Sequence, residues 1–297
     1  MRYRPFGASG KAVSAVSLVL REAPNMTTPS AWRALAFTAM ENGVNAFEIA
    51  AGADVAALGV GEALRAVERR LIFLGWRLRG DPKGTLSAQA IGLSIRDGLR
   101  KTGAGYFDVL MMDETAYETL APGALDYLME LRGSGVCLQL GVAGDGAAAD
   151  ASISSGSFDV LATPFSLISD WQARRRIREA SARNMTMIGY DSCPAALAHA
   201  PVSQPSARRG LFTRPDPMAG VGTYAFLQET PGWSAEELCL AYALTEPAFA
   251  TMQVEAFRTE AVERVAAVCD RDLPAGVSAQ IEMARFAAAE TEERRRA

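Results

Sequence analysis

Short apolar runs alternate with helical patterns along almost the whole chain. Continuous apolar runs of this length are typical of strands that are buried on both faces. They lie at Val16–Leu20, Val44–Ala50, Leu71–Trp76, Tyr106–Asp113, Val136–Gly144, Asp159–Thr163, Met185–Asp191 and Ala248–Val254. A helical pattern follows each run. Eight strand–helix repeats in 297 residues predict a closed (β/α)8 TIM barrel in the α/β class.

A doubly wound open sheet is the alternative fold. No GxGxxG motif follows any of the runs, and the glycines of GVAGDG after the fifth run have the wrong spacing for a dinucleotide-binding turn. We therefore favour one barrel domain over residues 1–297, with an extra C-terminal helix at Ser278–Glu290. A long Pro/Gly/Ser-containing loop at 192–231 breaks the rhythm, so we expect it to be functional or mobile. Residues 291–297 form a charged tail.

The strand at Tyr106–Asp113 ends abruptly in two carboxylates, Asp113 and Glu114. In parallel α/β folds the carboxyl ends of the strands carry the functional site. Asp113 is therefore a candidate functional residue. The alternative is that Asp113 only caps the helix that follows it.

Composition narrows the class of protein. The net charge of −4 gives no electrostatic reason to expect nucleic acid. No apolar run has the length of a membrane span, and the four cysteines are scattered, without metal-site spacing. These features predict a cytoplasmic protein with reduced thiols and no metal. The only histidine is His199, so a mechanism that needs histidine elsewhere is excluded.

Six segments in order resemble the aldo-keto reductase family. They are MRYRPFGASGKAVSAVSLVL, GVNAFEIA, LRKTGAGYFDVLMMDE, GVCLQLGVAG, FDVLATPFSLIS and MIGYDSCP. The resemblance implies an N-terminal hairpin before the barrel. It also implies hydride transfer from a nicotinamide to a carbonyl, with a tyrosine as proton donor and a lysine, an aspartate and a histidine that tune it.

Carried over position by position, all four catalytic residues of the family are changed. The aspartate position is Glu48, the tyrosine position is Ala53 and the histidine position is Asp113. The lysine position falls at Trp76, or at Arg77 if the register shifts by one residue. The resemblance therefore implies a chain without the family's reductase activity.

The cofactor positions of the family are only partly retained. The tyrosine that stacks on the nicotinamide is present as Tyr190, and Asp145, Ser192 and Arg258 are the other candidate contacts. Glu255 would repel a phosphate, whereas Arg258 would attract one. The resemblance implies NAD(H) as the cofactor in preference to NADP(H).

Three functions stay open at this point. The pattern and the changed catalytic residues resemble alphaproteobacterial oxidoreductase-like regulators of cell division. These proteins bind a nicotinamide dinucleotide and act on the division-ring protein FtsZ and the histidine kinase DivJ. The chain could instead be an oxidoreductase that uses Glu48 and Asp113 as a new acid/base pair, or these carboxylates could be remnants paired with Arg77. The third function is a ligand-free interaction scaffold in which Trp76 fills the pocket.

Two further features carry alternatives. The basic run Arg174–Arg176 with Arg178 indicates a solvated helix or a docking patch for an acidic partner. Cys193 follows the seventh strand and could be exposed, but its sequence neighbours give no reason to expect a thiolate.

Overall fold

Eight parallel strands close into a barrel in this computed structural model, which describes residues 1–198, 224 and 226–285. The barrel order is β3-β4-β5-β6-β7-β8-β9-β10, with β10 paired to β3. A separate antiparallel hairpin, β1 and β2, precedes it. The strands are β1 Tyr3–Phe6, β2 Lys11–Ser14, β3 Val16–Leu20, β4 Ala46–Ala50, β5 Phe73–Leu78, β6 Phe107–Asp113, β7 Cys137–Ala143, β8 Val160–Pro164, β9 Thr186–Tyr190 and β10 Phe249–Val254.

Helices surround the barrel and join its strands. They are α1 Pro29–Glu41, α2 Asp54–Leu64, α3 Ala88–Thr102, α4 Glu114–Glu118, α5 Ala124–Gly133, α6 Ala147–Ser155, α7 Trp171–Ala182, α8 Ala195–Ala198, α9 Phe226–Glu229, α10 Ala235–Ala243 and α11 Thr259–Val268. Residues 277–285 are also helical. The helices begin where the sequence supplies caps: Ser87 caps α3, and Ser234 and Glu237 form a capping box on α10.

The hairpin closes the amino-terminal end of the barrel. Phe6 and Val13 are buried with Phe73 of β5, and the Phe6 and Phe73 ring centroids lie 4.3 Å apart. Beside them the buried carboxylate of Asp108 accepts from Lys11 Nζ at 2.7 Å and from Arg69 Nη2 at 2.8 Å. Asp108 also accepts the backbone amide of Leu74 at 2.8 Å. This network fastens the hairpin to the barrel.

Inside the barrel, two methionines lie directly over glycines of neighbouring strands. A methyl group added at Gly141 would overlap the sulfur of Met111, and one added at Gly189 would overlap the sulfur of Met252. Because interiors are close-packed, each methionine fills the space that its glycine leaves.

The fold confirms the predicted barrel, the N-terminal hairpin and the order of elements. One boundary matters for the site: the third predicted strand, at Leu71–Trp76, is β5 at Phe73–Leu78, so Arg77 lies within the strand. The helical pattern that follows the second run is α2, which ends at Leu64. His199 and the tail 291–297 lie outside the described residues, as does much of the predicted loop 192–231.

Candidate functional site

The carboxyl ends of the barrel strands open into a cavity of about 820 Å³. Its described lining comes from the strand ends and from α10 and α11. Polar residues dominate it: Arg21, Arg77, Asp113, Glu114, Asp145, Tyr190, Asp191, Ser192, Ser234, Glu236, Glu237, Gln253, Glu255 and Arg264. This is the end of a barrel where ligands bind, so the cavity is the candidate site.

At the floor of the cavity Arg77 forms an ion pair with Glu48. Arg77 Nε donates to Glu48 Oε1 at 2.6 Å, and Arg77 Nη2 donates to Gln253 Oε1 at 3.2 Å. Burial lowers the pKa of Arg77, but the Glu48 carboxylate more than offsets this, and the pKa lies above its ordinary value. Glu48 is 3% exposed and its Oε2 is buried without a hydrogen-bond partner among the described residues. Arg77 thus shields Glu48 from the cavity.

Trp76 faces away from this site. Its ring stacks on Phe107 with centroids 5.3 Å apart, lies against Gly98 of α3, and its Nε1 donates to Ser94 Oγ at 3.0 Å. Successive strand residues point to opposite faces, so Arg77 occupies the barrel-facing position. Trp76 therefore does not fill the cavity, contrary to the role predicted for it from the sequence.

Asp113 caps a helix, as the alternative interpretation predicted. Its Oδ1 accepts the amide of Ala116 in α4 at 2.7 Å and the amide of Gly80 at 3.1 Å. Ala53, at the position of the family's proton donor, is buried at the N-cap of α2 and has no ionisable group. Glu48 is thus held by Arg77, and Asp113 is held by two backbone amides.

Three predicted cofactor contacts come together at the cavity. Tyr190, Asp145 and Ser192 all line it. Burial raises the pKa of the Tyr190 phenol well above its ordinary value, and the Arg77 guanidinium opposes only part of that shift. Tyr190 therefore stays neutral at physiological pH and offers an aromatic surface. Whether these residues contact a cofactor stays a prediction.

The fourth predicted contact, Arg258, does not line the cavity. It is exposed at the N-cap of α11, whereas Arg264 of the same helix lines the site. The lining residues Ala261, Arg264, Val265 and Val268 recur at the spacing of one helix face. A helical-wheel analysis from Thr259 would have found Arg264.

Carboxylates outnumber cations at the cavity. Seven acidic and three basic side chains line it within the described residues. Arg21 pairs with Glu255, and Arg77 with Glu48. No ion-pair partner of Arg264 is found in the part of the chain that the structure describes. Arg264 is therefore the cation most available to an anionic ligand.

Comparison with known proteins decides the family. The model of the aldo/keto reductase family matches residues 21–285. The chain belongs to the aldo-keto reductase family. A search of curated protein sequences finds no match.

Solved aldo-keto reductases share the fold at low sequence identity. An enzyme from Bacillus halodurans, AKR11C1 in its holo form, is 17% identical, with a TM-score of 0.72 and 96% of each chain covered. One from Klebsiella pneumoniae, solved in complex with NADPH, is 16% identical, with a TM-score of 0.68 and 95% of each chain covered. At this identity the likeness establishes the barrel and leaves the activity of this chain to its own residues.

The residues of this aldo-keto reductase fit the nicotinamide end of a dinucleotide. The cavity has the volume of a cofactor site, and the neutral Tyr190 ring at its wall suits stacking. Arg264 would meet a phosphate, and the excess of carboxylates opposes each further negative charge.

Two classes of feature are missing from the described residues. Within 1–198, 224 and 226–285, no group of three or more histidine, cysteine, aspartate or glutamate side chains could hold a metal ion. No helix in those ranges is both long and apolar enough to cross a membrane.

Proposed function

We propose that this chain binds a nicotinamide dinucleotide, NAD(H) in preference to NADP(H), without reducing carbonyls, and that it acts as a regulator. The proposal rests on a contrast between residues that suit dinucleotide binding and a missing proton donor. The walls keep Tyr190 and Arg264, which suit a dinucleotide, while Ala53 stands where the family has its proton donor. Binding without turnover is the outcome this arrangement supports.

The open cavity argues against a ligand-free scaffold. That alternative needs an aromatic plug, and Trp76 packs against α3 instead. The altered acid/base chemistry of Glu48 and Asp113 finds no support either, because both carboxylates already have partners. The regulator is therefore the function that the geometry supports best.

The test is calorimetric titration with NADH and NADPH, followed by an assay of NADH oxidation with a panel of aldehydes and ketones. We expect saturable binding, tighter for NADH, and no oxidation above the rate without protein. Arg264→Gln should weaken NADH binding by about tenfold or more, since a charged hydrogen bond contributes roughly 1.5–3 kcal/mol. The matched control is Arg258→Gln, an exposed arginine of the same helix, which should bind as the parent does.

Two results would overturn the proposal. Absence of binding at millimolar NADH would remove the sensing role. Carbonyl turnover that is lost in Tyr190→Phe would make the chain an enzyme that uses Tyr190 as its acid.

We further propose that the regulator is cytoplasmic and acts through protein contacts, as the resemblance to the cell-division regulator KidO implies. FtsZ and the kinase DivJ are the partners this resemblance names. Two exposed apolar residues support a protein contact: Ile168 is 46% exposed, and Trp171, the first residue of α7, is 64% exposed. Exposed arginines of α7, Arg175 and Arg178, flank it and suit an acidic partner.

The partner test is co-sedimentation with FtsZ polymers and capture by the DivJ kinase domain, each with and without NADH. We expect binding to change with NADH and to fall in Trp171→Ser. Leu93→Ser, an exposed apolar residue of α3, is the matched control and should leave binding unchanged. Equal loss in both variants would show that the patch at α7 is not the contact.

A further inference from the structure

A glutamate at the cavity reaches from the end of one strand to the loop after the next. Glu114, the first residue of α4, follows β6, and its Oε1 accepts the backbone amide of Gly146 in the loop after β7 at 2.7 Å. The same oxygen accepts the amide of Ala149 in α6 at 3.4 Å. The carboxylate is therefore held in place by backbone groups that lie 32 or more residues further along the chain.

The loop after β7 leaves room for this side chain. A methyl group added at Gly144 would overlap the side chain of Glu114, and one added at Gly146 would lie too close to its carboxylate oxygens. Neither glycine has a φ in the left-handed region, so the backbone conformation does not require glycine at either position. The space that Glu114 occupies requires it instead.

The second carboxylate oxygen of Glu114 is open to a ligand. Glu114 lines the cavity and is half-buried. Its hydrogen bonds to the described residues all use Oε1, and Oε2 receives none from them. An ionised carboxylate only accepts hydrogen bonds, and a group already held in position loses little entropy when a ligand binds. A ligand group that meets Oε2 must therefore donate an N–H or an O–H.

The other carboxylates considered at the cavity are less suited to hold a ligand in this way. Asp145, Glu236 and Glu255 are exposed to water. Glu255 also pairs with Arg21. Asp113 serves as the cap of α4. Glu114 is thus the carboxylate that combines partial burial, a fixed position and an oxygen without a donor from the described residues.

An aromatic wall lies close to this acceptor. Tyr190 ends β9, and only β8 separates β9 from β7, so Tyr190 and Glu114 line one cavity from nearby strand ends. Between them β8 ends at Pro164, which Phe165 follows, and neither side chain forms hydrogen bonds. A flat ring that stacks on Tyr190 and carries an N–H donor at its edge would satisfy both groups. The nicotinamide ring, with its primary carboxamide, has this chemistry.

We propose that Glu114 accepts a hydrogen bond from the carboxamide of the nicotinamide ring, and that it selects the amide form of the dinucleotide against the acid form. The proposal rests on the proposed dinucleotide function. A nicotinic acid ring would present a second carboxylate to Glu114, with no N–H to donate. Like charges repel, and a site built to receive a hydrogen bond rejects an analogue that lacks the donor.

The first experiment needs no variant. Calorimetric titration of the unmodified protein compares NAD⁺ with 3-acetylpyridine adenine dinucleotide and nicotinic acid adenine dinucleotide, which differ from it only at the ring substituent. We expect the dissociation constant to rise in that order, with the acid form bound about tenfold or more weakly than NAD⁺, because a charged hydrogen bond is replaced by repulsion. The acetyl compound lacks the donor without adding charge. Acid and amide forms that bind equally well would overturn the proposal.

A variant of Glu114 tests the assignment to this residue. In Glu114→Gln the side-chain oxygen can still accept the amide of Gly146, whereas the new N–H2 group can donate to a carboxylate. The preference for NAD⁺ over the acid form should fall to about threefold or less. Glu236→Gln, which removes an equal charge from the α10 wall of the cavity, is the matched control and should keep the preference of the parent. Full preference in Glu114→Gln, or an equal loss in both variants, would contradict the role of Glu114.

The same titrations separate this inference from the proposed function. If neither NAD⁺ nor the two analogues bind, the proposed function fails and the role of Glu114 fails with it. If all three bind with equal affinity, the dinucleotide function stands and only the role of Glu114 fails.

Discussion

Buried carboxylates are paired differently at the two ends of the barrel. At the amino-terminal end one carboxylate, Asp108, has two cationic partners and a backbone amide. At the carboxyl-terminal end, Glu48 has one cation, Arg77, and leaves an oxygen without a partner among the described residues. Polar atoms that are fully paired stabilise a fold, whereas unpaired ones cost free energy. The buried carboxylate is therefore more fully paired at the amino-terminal end than at the carboxyl-terminal end.

Loss of the Asp108 charge should give the largest effect. Asp108→Asn leaves Lys11 and Arg69 beside a neutral amide, with their charges still partly buried. Removing one partner of a buried network costs about 3–5 kcal/mol, and we expect a loss of that size in the free energy of unfolding. Urea titration followed by circular dichroism measures it. A loss below about 1 kcal/mol would show that the two ends do not differ in this way.

Breaking the Glu48–Arg77 ion pair should cost less free energy of unfolding than breaking the Asp108 network. Replacing the pair with apolar side chains should cost little. Arg77→Leu should lower the free energy of unfolding by about 2–3 kcal/mol, since the buried Glu48 carboxylate loses its cation but lies next to a cavity from which water can reach it. The double variant Glu48→Leu/Arg77→Leu should lie within about 1 kcal/mol of the parent, because a buried ion pair can be replaced by packed apolar side chains. A double variant less stable than Arg77→Leu alone would show that the pair stabilises the barrel.

A variant of Asp113 tests whether a carboxylate that lines the cavity also stabilises the fold. Asp113→Ala removes the cap of α4 and the bond to Gly80, and should cost about 1–2 kcal/mol. The matched control is Asp170→Ala, which removes a helix cap with a single amide partner, Ala173 at 2.9 Å. Denaturant titration of both variants should show the greater loss at Asp113. Equal losses would mean that the bond to Gly80 contributes nothing.

The smallest effect should come from Asp97 on the outer surface of α3. Its ion pairs lie at neither end of the barrel, so it serves as a reference for the two buried carboxylates. Hydrogen bonds from Lys101 and then Arg100 lower the pKa of Asp97 below its ordinary value of 3.8. The contribution of Asp97 is thus present above pH 3.8 and disappears as the pH falls through the lower, folded-state pKa. Asp97→Asn should cost less than about 0.5 kcal/mol at neutral pH. Thermal melts at pH 7 and pH 3 check both the size and the sign.

The element order was predictable from the sequence because apolar runs and caps are local signals. The same signals do not say which way a side chain points within a continuous apolar run. The run Leu71–Trp76 shows no apolar/polar alternation, so its boundaries could not be fixed from the sequence. The strand in the structure begins and ends two residues later and therefore contains Arg77. A change of one position exchanges the two faces of a strand. That is why Trp76 was assigned to the pocket, whereas Arg77, the alternative considered from the sequence, is the residue that lines the cavity.

Residues that line the cavity could be predicted from the sequence where they lie at strand ends. Those that lie on helices were not predicted. Tyr190 ends β9, Asp145 and Ser192 follow strands within two residues, and all three line the cavity. Their contact with a cofactor stays a prediction. Arg264 lies well inside α11, and Arg258 was chosen because it stands nearer the strand.

The pairs Met111–Gly141 and Met252–Gly189 have an evolutionary consequence. Since each methionine occupies the space above a glycine of the next strand, neither position can drift alone. A side chain at 141 or 189 requires a smaller partner at 111 or 252, or the strands must separate. Homologues should therefore exchange bulk across these two pairs, and an alignment deep enough to detect covariation should show position 141 linked to 111 and position 189 linked to 252.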